Sequence, residues 1–152
     1  NLLREGDAQA VTRTVIGILG YTRWPGERDE LQLCIAGASE YTDTLMASSG
    51  QVITGRRLGV KRVDPEQAKL ECDALYVGNM DAKHWRKLMQ QETGRPLLTI
   101  SEHIELCRIG AMFCLVRQDD GPGFEVNLDS IARSGLRISP KVLQLARSKA
   151  SS

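Results

Sequence analysis

The run Ala74-Leu75-Tyr76-Val77, inside CDALYVG at residues 72 to 78, carries no charged side chain and stops at a glycine. A strand with so little polar surface cannot leave one face in water, so it predicts a position inside a sheet that is covered on both sides. Other segments must supply that cover, and the periodicity says which. LQLCIAG (31 to 37), RRLGVKRV (56 to 63), PLLTIS (96 to 101), AMFCLV (111 to 116) and GFEVNL (123 to 128) read as further strands.

Between them lie the helices. Val11, Val15, Ile18 and Leu19 recur at helical spacing after Asp7, a candidate N-cap, and Trp24-Pro25-Gly26 stops that helix. YTDTLMAS reads as a short helix. DAKHWRKLMQQETG (81 to 94) opens on an Asp N-cap, sets Trp85, Leu88 and Met89 on one face and ends at glycine. DDGPG (119 to 123) turns the last two strands into a hairpin; Leu128 to Arg133 starts a helix that Gly135 breaks, and Ser139-Pro140 caps a final one. Strands alternating with helices and then a hairpin predict an α/β fold: a single-domain layered sandwich over 1–152, with a mixed sheet of about six strands flanked by helices. Residues 147–152 read as a frayed tail.

A chain of 152 residues buries enough core to fold without staples. Twenty Lys and Arg against nineteen Asp and Glu form no basic stripe, which sets nucleic acid aside as a partner. No apolar stretch approaches the roughly 18 residues of a membrane helix, so direct membrane insertion is not expected. No signal peptide begins at Asn1, and the chain reads as a mature or trimmed form from which any export signal is already gone.

Catalytic and metal chemistry find little support. CIAGASEY follows a strand and opens a helix, but one glycine where a dinucleotide loop needs three makes it a plain βα turn. His103 and Cys107 stand four apart, yet a zinc site needs three or four ligands, the other histidine is His84, and there is no C-x-x-C. No orienting group or oxyanion hole accompanies that pair, and no G-x-S-x-G elbow occurs. No cofactor, metal or enzymatic activity is expected. Trp24 and Trp85 read as packing residues. In AMFCLV, alternation puts Met112, Cys114 and Val116 on one face and Ala111, Phe113 and Leu115 on the other, and Phe113 is a candidate partner anchor beside its core reading.

The four cysteines admit two readings: two bridges or four separately buried thiols. Gly110 between Cys107 and Cys114 offers a place for the chain to reverse. Cys34 and Cys72 sit in strands that sheet pairing can bring within bridging distance. Loop entropy would give about 4 kcal/mol for the longer loop and about 2.5 for the shorter.

Taken together, YTRWP, LCIAG, CDALYVG, GRPLLTIS, IGAMFCLV and FEVNLDSIARSGLRISPKVLQLAR (124 to 147) resemble the YfiR family over nearly the whole chain. The resemblance implies a non-catalytic periplasmic repressor, commonly dimeric. It would bind the periplasmic PAS-like region of an inner-membrane diguanylate cyclase and be sequestered by an OmpA-like outer-membrane lipoprotein. Carried over by motif, it pairs Cys34 with Cys72 and Cys107 with Cys114 and links the cysteines to redox sensing; since a long-loop bridge between strands can be lost without undoing the local clip, Cys34–Cys72 is expected to be the labile one. It also points to Phe113, Glu125 and Ile131 as partner contacts, with Arg137 beside Glu125 in a small polar pocket for a ligand.

Overall fold

The computed structural model describes residues 5–26, 28–67, 70–118 and 121–146. The apolar run that opened the sequence reading is β5 (Ala74–Val77), the middle strand of a seven-stranded sheet. Around it stand β2 (Glu30–Ala36), β3 (Val52–Ile53), β4 (Arg56–Arg62), β6 (Leu98–Ser101), β7 (Phe113–Gln118) and β8 (Gly121–Val126), in the order β3-β4-β2-β5-β6-β7-β8. The five inner strands run parallel, and β3 and β8 close the edges antiparallel. The fold is a single-layer mixed sheet covered on both faces, the α/β sandwich that the alternation predicts.

The strand period of two separates the two sides. Leu31, Leu33 and Ile35 of β2, with Ala74 and Tyr76 of β5, enter a core capped by α1 (Ala8–Gly20) and α2 (Thr42–Ala47). Cys34, Ala36, Leu75 and Val77 enter a second core with Trp85 and Leu88 of α3 (Ala82–Gln91) and Leu106 of α4 (Ile104–Cys107). The chain then runs through α5 (Leu128–Arg133), β9 (Arg137–Ile138), a 3-10 turn (Pro140–Val142) and α6 (Leu143–Ala146). The tail 147–152 lies outside the described residues.

Several local expectations change. The seventh strand, β3, pairs with β4 through Thr54-Gly55, both with positive φ as a two-residue hairpin loop demands. Without the usual Asn-Gly signature it was invisible to pattern. Asp7 stands at the N-cap of α1 but makes no capping bond, because its carboxylate pairs with Arg117 of β7. Helix α1 ends at Gly20, four residues before Trp24: Thr22 and Arg23 form β1, which pairs antiparallel with β9 (Thr22↔Ile138, Arg23↔Arg137). The final helix begins with a 3-10 turn, capped as expected by Ser139, whose hydroxyl accepts from the Lys141 N–H at 3.2 Å. Residues 121–123 of the expected turn belong to β8, and Asp119 and Asp120 lie outside the described residues.

Candidate partner-binding site

The site is built on the β7–β8 hairpin. Both bridges are present, Cys34–Cys72 with Cα atoms 5.9 Å apart and Cys107–Cys114 with 6.1 Å, and no cysteine is free. Cys107 closes α4, Cys114 is the second residue of β7, and the chain reverses between them at Gly110 with φ 123°. Asn127 extends this clip to the next element. Its backbone N–H donates to Met112 O (2.8 Å), its Nδ2 donates to Cys107 O (2.7 Å), and its Oδ1 accepts the Ser130 N–H (3.1 Å) as N-cap of α5. One side chain therefore fixes α5 to the bridged loop. Sequence reading missed it, although Asn followed by an apolar helix start is a cap signal.

The residues expected at the interface do not converge. Phe113 is 0% exposed and packs edge-on against Phe124, ring centroids 5.4 Å apart. The ring expected to face a partner is thus core, because β8 and α1 cover its face. Alternation also breaks before the strand begins: Met112 joins the same core as Phe113, and Ala111 joins that of Cys114. Glu125 is exposed and stands opposite Cys114 in the ladder, on the bridge-bearing side. Ile131 is half-buried against the α1-side core. Arg137 is exposed on β9 opposite Arg23, and among the described residues no hydrogen bond or ion pair joins it to Glu125. What the motifs did not flag is Leu128, 70% exposed at the start of α5, one helical turn from Ile131.

In open α/β sheets ligands enter where the strand order reverses, here between the carboxyl ends of β2 and β5. That crevice is filled by the chain itself. Ala38 and Asn79 form a bridge across it, and the approach needs glycines: a Cβ on Gly37 would stand 2.6 Å from Asn79 O, and one on Gly78 would strike Ala38 O. Below it, Glu102 accepts from the hydroxyls of Tyr76 (2.6 Å) and Ser39. Burial first and Glu102 next push the Tyr76 phenol well above its ordinary range; burial, Asp7 and Glu102 raise Tyr41 to about 12. Both phenols are neutral at physiological pH, and the cluster is a hydrogen-bonded lock beneath the crevice.

Arginine gathers at the opposite corner. Trp24 donates Nε1–H to Asp73 O (2.9 Å), Arg28 pairs with the Asp73 carboxylate, and Arg56 lies 5.5 Å from the Trp24 ring while donating to Leu19 O at the end of α1. Burial, then Arg23 and Arg28, lower the Arg56 pKa. His103 is the N-cap residue of α4, and the Cys107 sulfur is bound to Cys114 rather than offered to it.

The sequence pattern of the YfiR/HmsC-like family matches residues 8–147. This chain belongs to that family. Membership suggests a regulator of the cyclic di-GMP pathway in the periplasm. Two disulfides accord with an oxidising compartment. Among the described residues no helix is long and apolar enough to cross a membrane.

Proposed function

We propose that this YfiR/HmsC-like protein is a negative regulator that binds the periplasmic PAS-like region of an inner-membrane diguanylate cyclase and holds cyclic di-GMP synthesis down. An OmpA-like outer-membrane lipoprotein relieves the repression by sequestering it, and its resting form is a homodimer. The mechanism is competitive occupancy: bound repressor stabilises an inactive sensor conformation, and the second partner lowers the free repressor concentration by mass action. The supporting observation is Leu128, 70% exposed at the start of α5, which Asn127 ties to the loop closed by Cys107–Cys114, with half-buried Ile131 one turn further on and exposed Glu125 on the preceding strand. Phe113, buried against Phe124, acts as a core residue of the hairpin rather than as a contact. Leu128→Asp and Ile131→Asp are expected to weaken cyclase binding at least tenfold, on the order of an anchor residue's contribution, with thermal unfolding of the Leu128 variant unchanged. A purified protein that binds neither partner, or that leaves the activity of its cognate cyclase unaltered, would refute the proposal.

A second reading, a small-molecule sensor of the same pathway, is favoured by the arginine corner rather than by Glu125. Arg23, Trp24, Arg28 and Arg56 line a pocket of about 360 Å³, and Arg137 faces Arg23 across β1 and β9. Like charges directly opposed in a ladder are unfavourable, and an anionic ligand such as a nucleotide would relieve them. Calorimetry with nucleoside monophosphates tests it: binding abolished by Arg23→Gln supports it, and no heat up to millimolar ligand removes it.

A further inference from the structure

Trp85 of α3 is 0% exposed, and its indole N–H donates to Ile109 O (3.1 Å) in the loop that Cys107–Cys114 closes. That bond fixes the helix against a covalently closed loop. Along the joint runs a groove of about 270 Å³, lined by Trp85, Arg86, Met89, Gln90, Thr93 and Ile109. Met89 and Ile109 give it an apolar floor, half-buried against the second core, and the Thr93 hydroxyl is already engaged in donating to Met89 O (3.1 Å). The volume falls below the roughly 300–1,000 Å³ of pockets that enclose a small molecule. It suits one anchoring side chain of a longer segment.

The rim is cationic. Arg86 lines the groove from α3, and Arg108 stands beside Ile109 at the C-cap of α4. Both are exposed, and among the described residues neither makes an ion pair or a side-chain hydrogen bond. The carboxylates of this side are paired elsewhere: Glu66 with Lys87, Asp81 with His84 and Glu105 with His103. Lys83 adds a third exposed cation in the first turn of α3, where the helix macrodipole favours an acidic residue, so local helix stability does not account for it. The planar fork of arginine matches a carboxylate through two parallel N–H···O bonds, which makes the complement of this rim acidic. The groove also adjoins Leu128, because Asn127 donates to Cys107 O and Ile109 follows Cys107 by two residues.

We infer that this groove docks an acidic segment of the partner protein that meets Leu128. One apolar side chain of the segment seats over Met89 and Ile109, between carboxylates that pair with Arg86 and Arg108. The choice of that partner rests on the proposed Leu128 contact, whereas the chemistry of the groove does not. The exposed cations act first on encounter, and the pairs they form then fix the register of the partner on the bridged loop.

Binding kinetics at two ionic strengths test it, with the periplasmic region of the cyclase and the lipoprotein as the two probes. In an Arg86→Glu/Arg108→Glu variant, affinity for one of them should fall about tenfold or more, chiefly through slower association. The binding that remains should depend less on salt. Thermal unfolding should be unchanged, since both side chains are exposed. Arg86→Lys/Arg108→Lys should recover the salt dependence and only part of the affinity, because lysine lacks the fork. Unaltered affinity and salt dependence for both probes overturn the groove. Leu128→Asp sorts the two readings: a loss there with none in the arginine variant leaves the Leu128 contact standing alone, and the reverse removes that contact and keeps the groove. Wild-type protein that binds neither probe overturns both. Sedimentation supplies the last outcome: an arginine variant altered only in self-association would make a second copy the occupant and overturn the partner assignment.

Discussion

Glu92 is the residue whose environment fits its chemistry least. It follows Trp85 and Leu88 on the buried stripe of α3, its side chain is 2% exposed, and neither carboxylate oxygen has a hydrogen-bond partner; Arg95 Nη1 stands 3.7 Å away. At a helix C-cap a negative charge also opposes the macrodipole. Glu92→Met is therefore expected to stabilise the fold by about 1–2 kcal/mol, since an apolar side chain replaces a poorly compensated buried charge. Denaturant unfolding checks this, and a destabilised variant would mean that the pairing with Arg95 outweighs desolvation. Phe113 has the opposite character. Truncation to alanine should cost about 3–5 kcal/mol in the same measurement, and a variant of wild-type stability would return the ring to the surface.

Among the elements, α3 shows how a local signal becomes structure. Asp81 accepts the His84 N–H at 2.8 Å and the His84 ring at 2.7 Å, and these bonds, backbone first, lower its carboxyl pKa below the ordinary 3.8. A group whose folded pKa is depressed stabilises above its unfolded value and loses that contribution as pH falls through the folded one. Asp81→Ala should therefore lower the melting temperature at pH 7, by an amount that shrinks as pH falls below 3.8 towards the folded pKa. Melting curves across that range decide it; a difference constant down to pH 2 would exclude the carboxylate as the source.

For the whole molecule the two bridges divide their labour by span. Cys107–Cys114 joins residues 7 apart, whose Cα atoms neighbouring elements keep 6.1 Å apart, so an opened bridge recloses readily even though Cys107 is the more accessible cysteine. Cys34–Cys72 spans 38 residues and ends on a segment with a constrained Glu71. Stepwise reduction should open Cys34–Cys72 first, at a loss of about 4 kcal/mol, while α4 and β7 stay clipped. Peptide mapping of alkylated intermediates reads the order, and prior loss of Cys107–Cys114 would reverse the assignment.

Some of this was legible in order along the chain. Apolar runs with period two, the Asp81 cap and the terminal Ser139-Pro140 fix which segments are strands or helices, because those preferences act over a few neighbouring residues. Family motifs supplied the cysteine pairs. What needed the tertiary structure was every feature that joins distant residues. The face of Phe113 depends on where β7 starts, the carboxylate of Asp7 goes to Arg117 rather than to its own helix, and Gly37 and Gly78 matter only because two loops meet. Leu128 and Ile131 are both apolar in the sequence, yet one is left in water and the other packs on the core. Local conformational preference is written residue by residue, whereas exposure is decided by what the rest of the chain leaves uncovered.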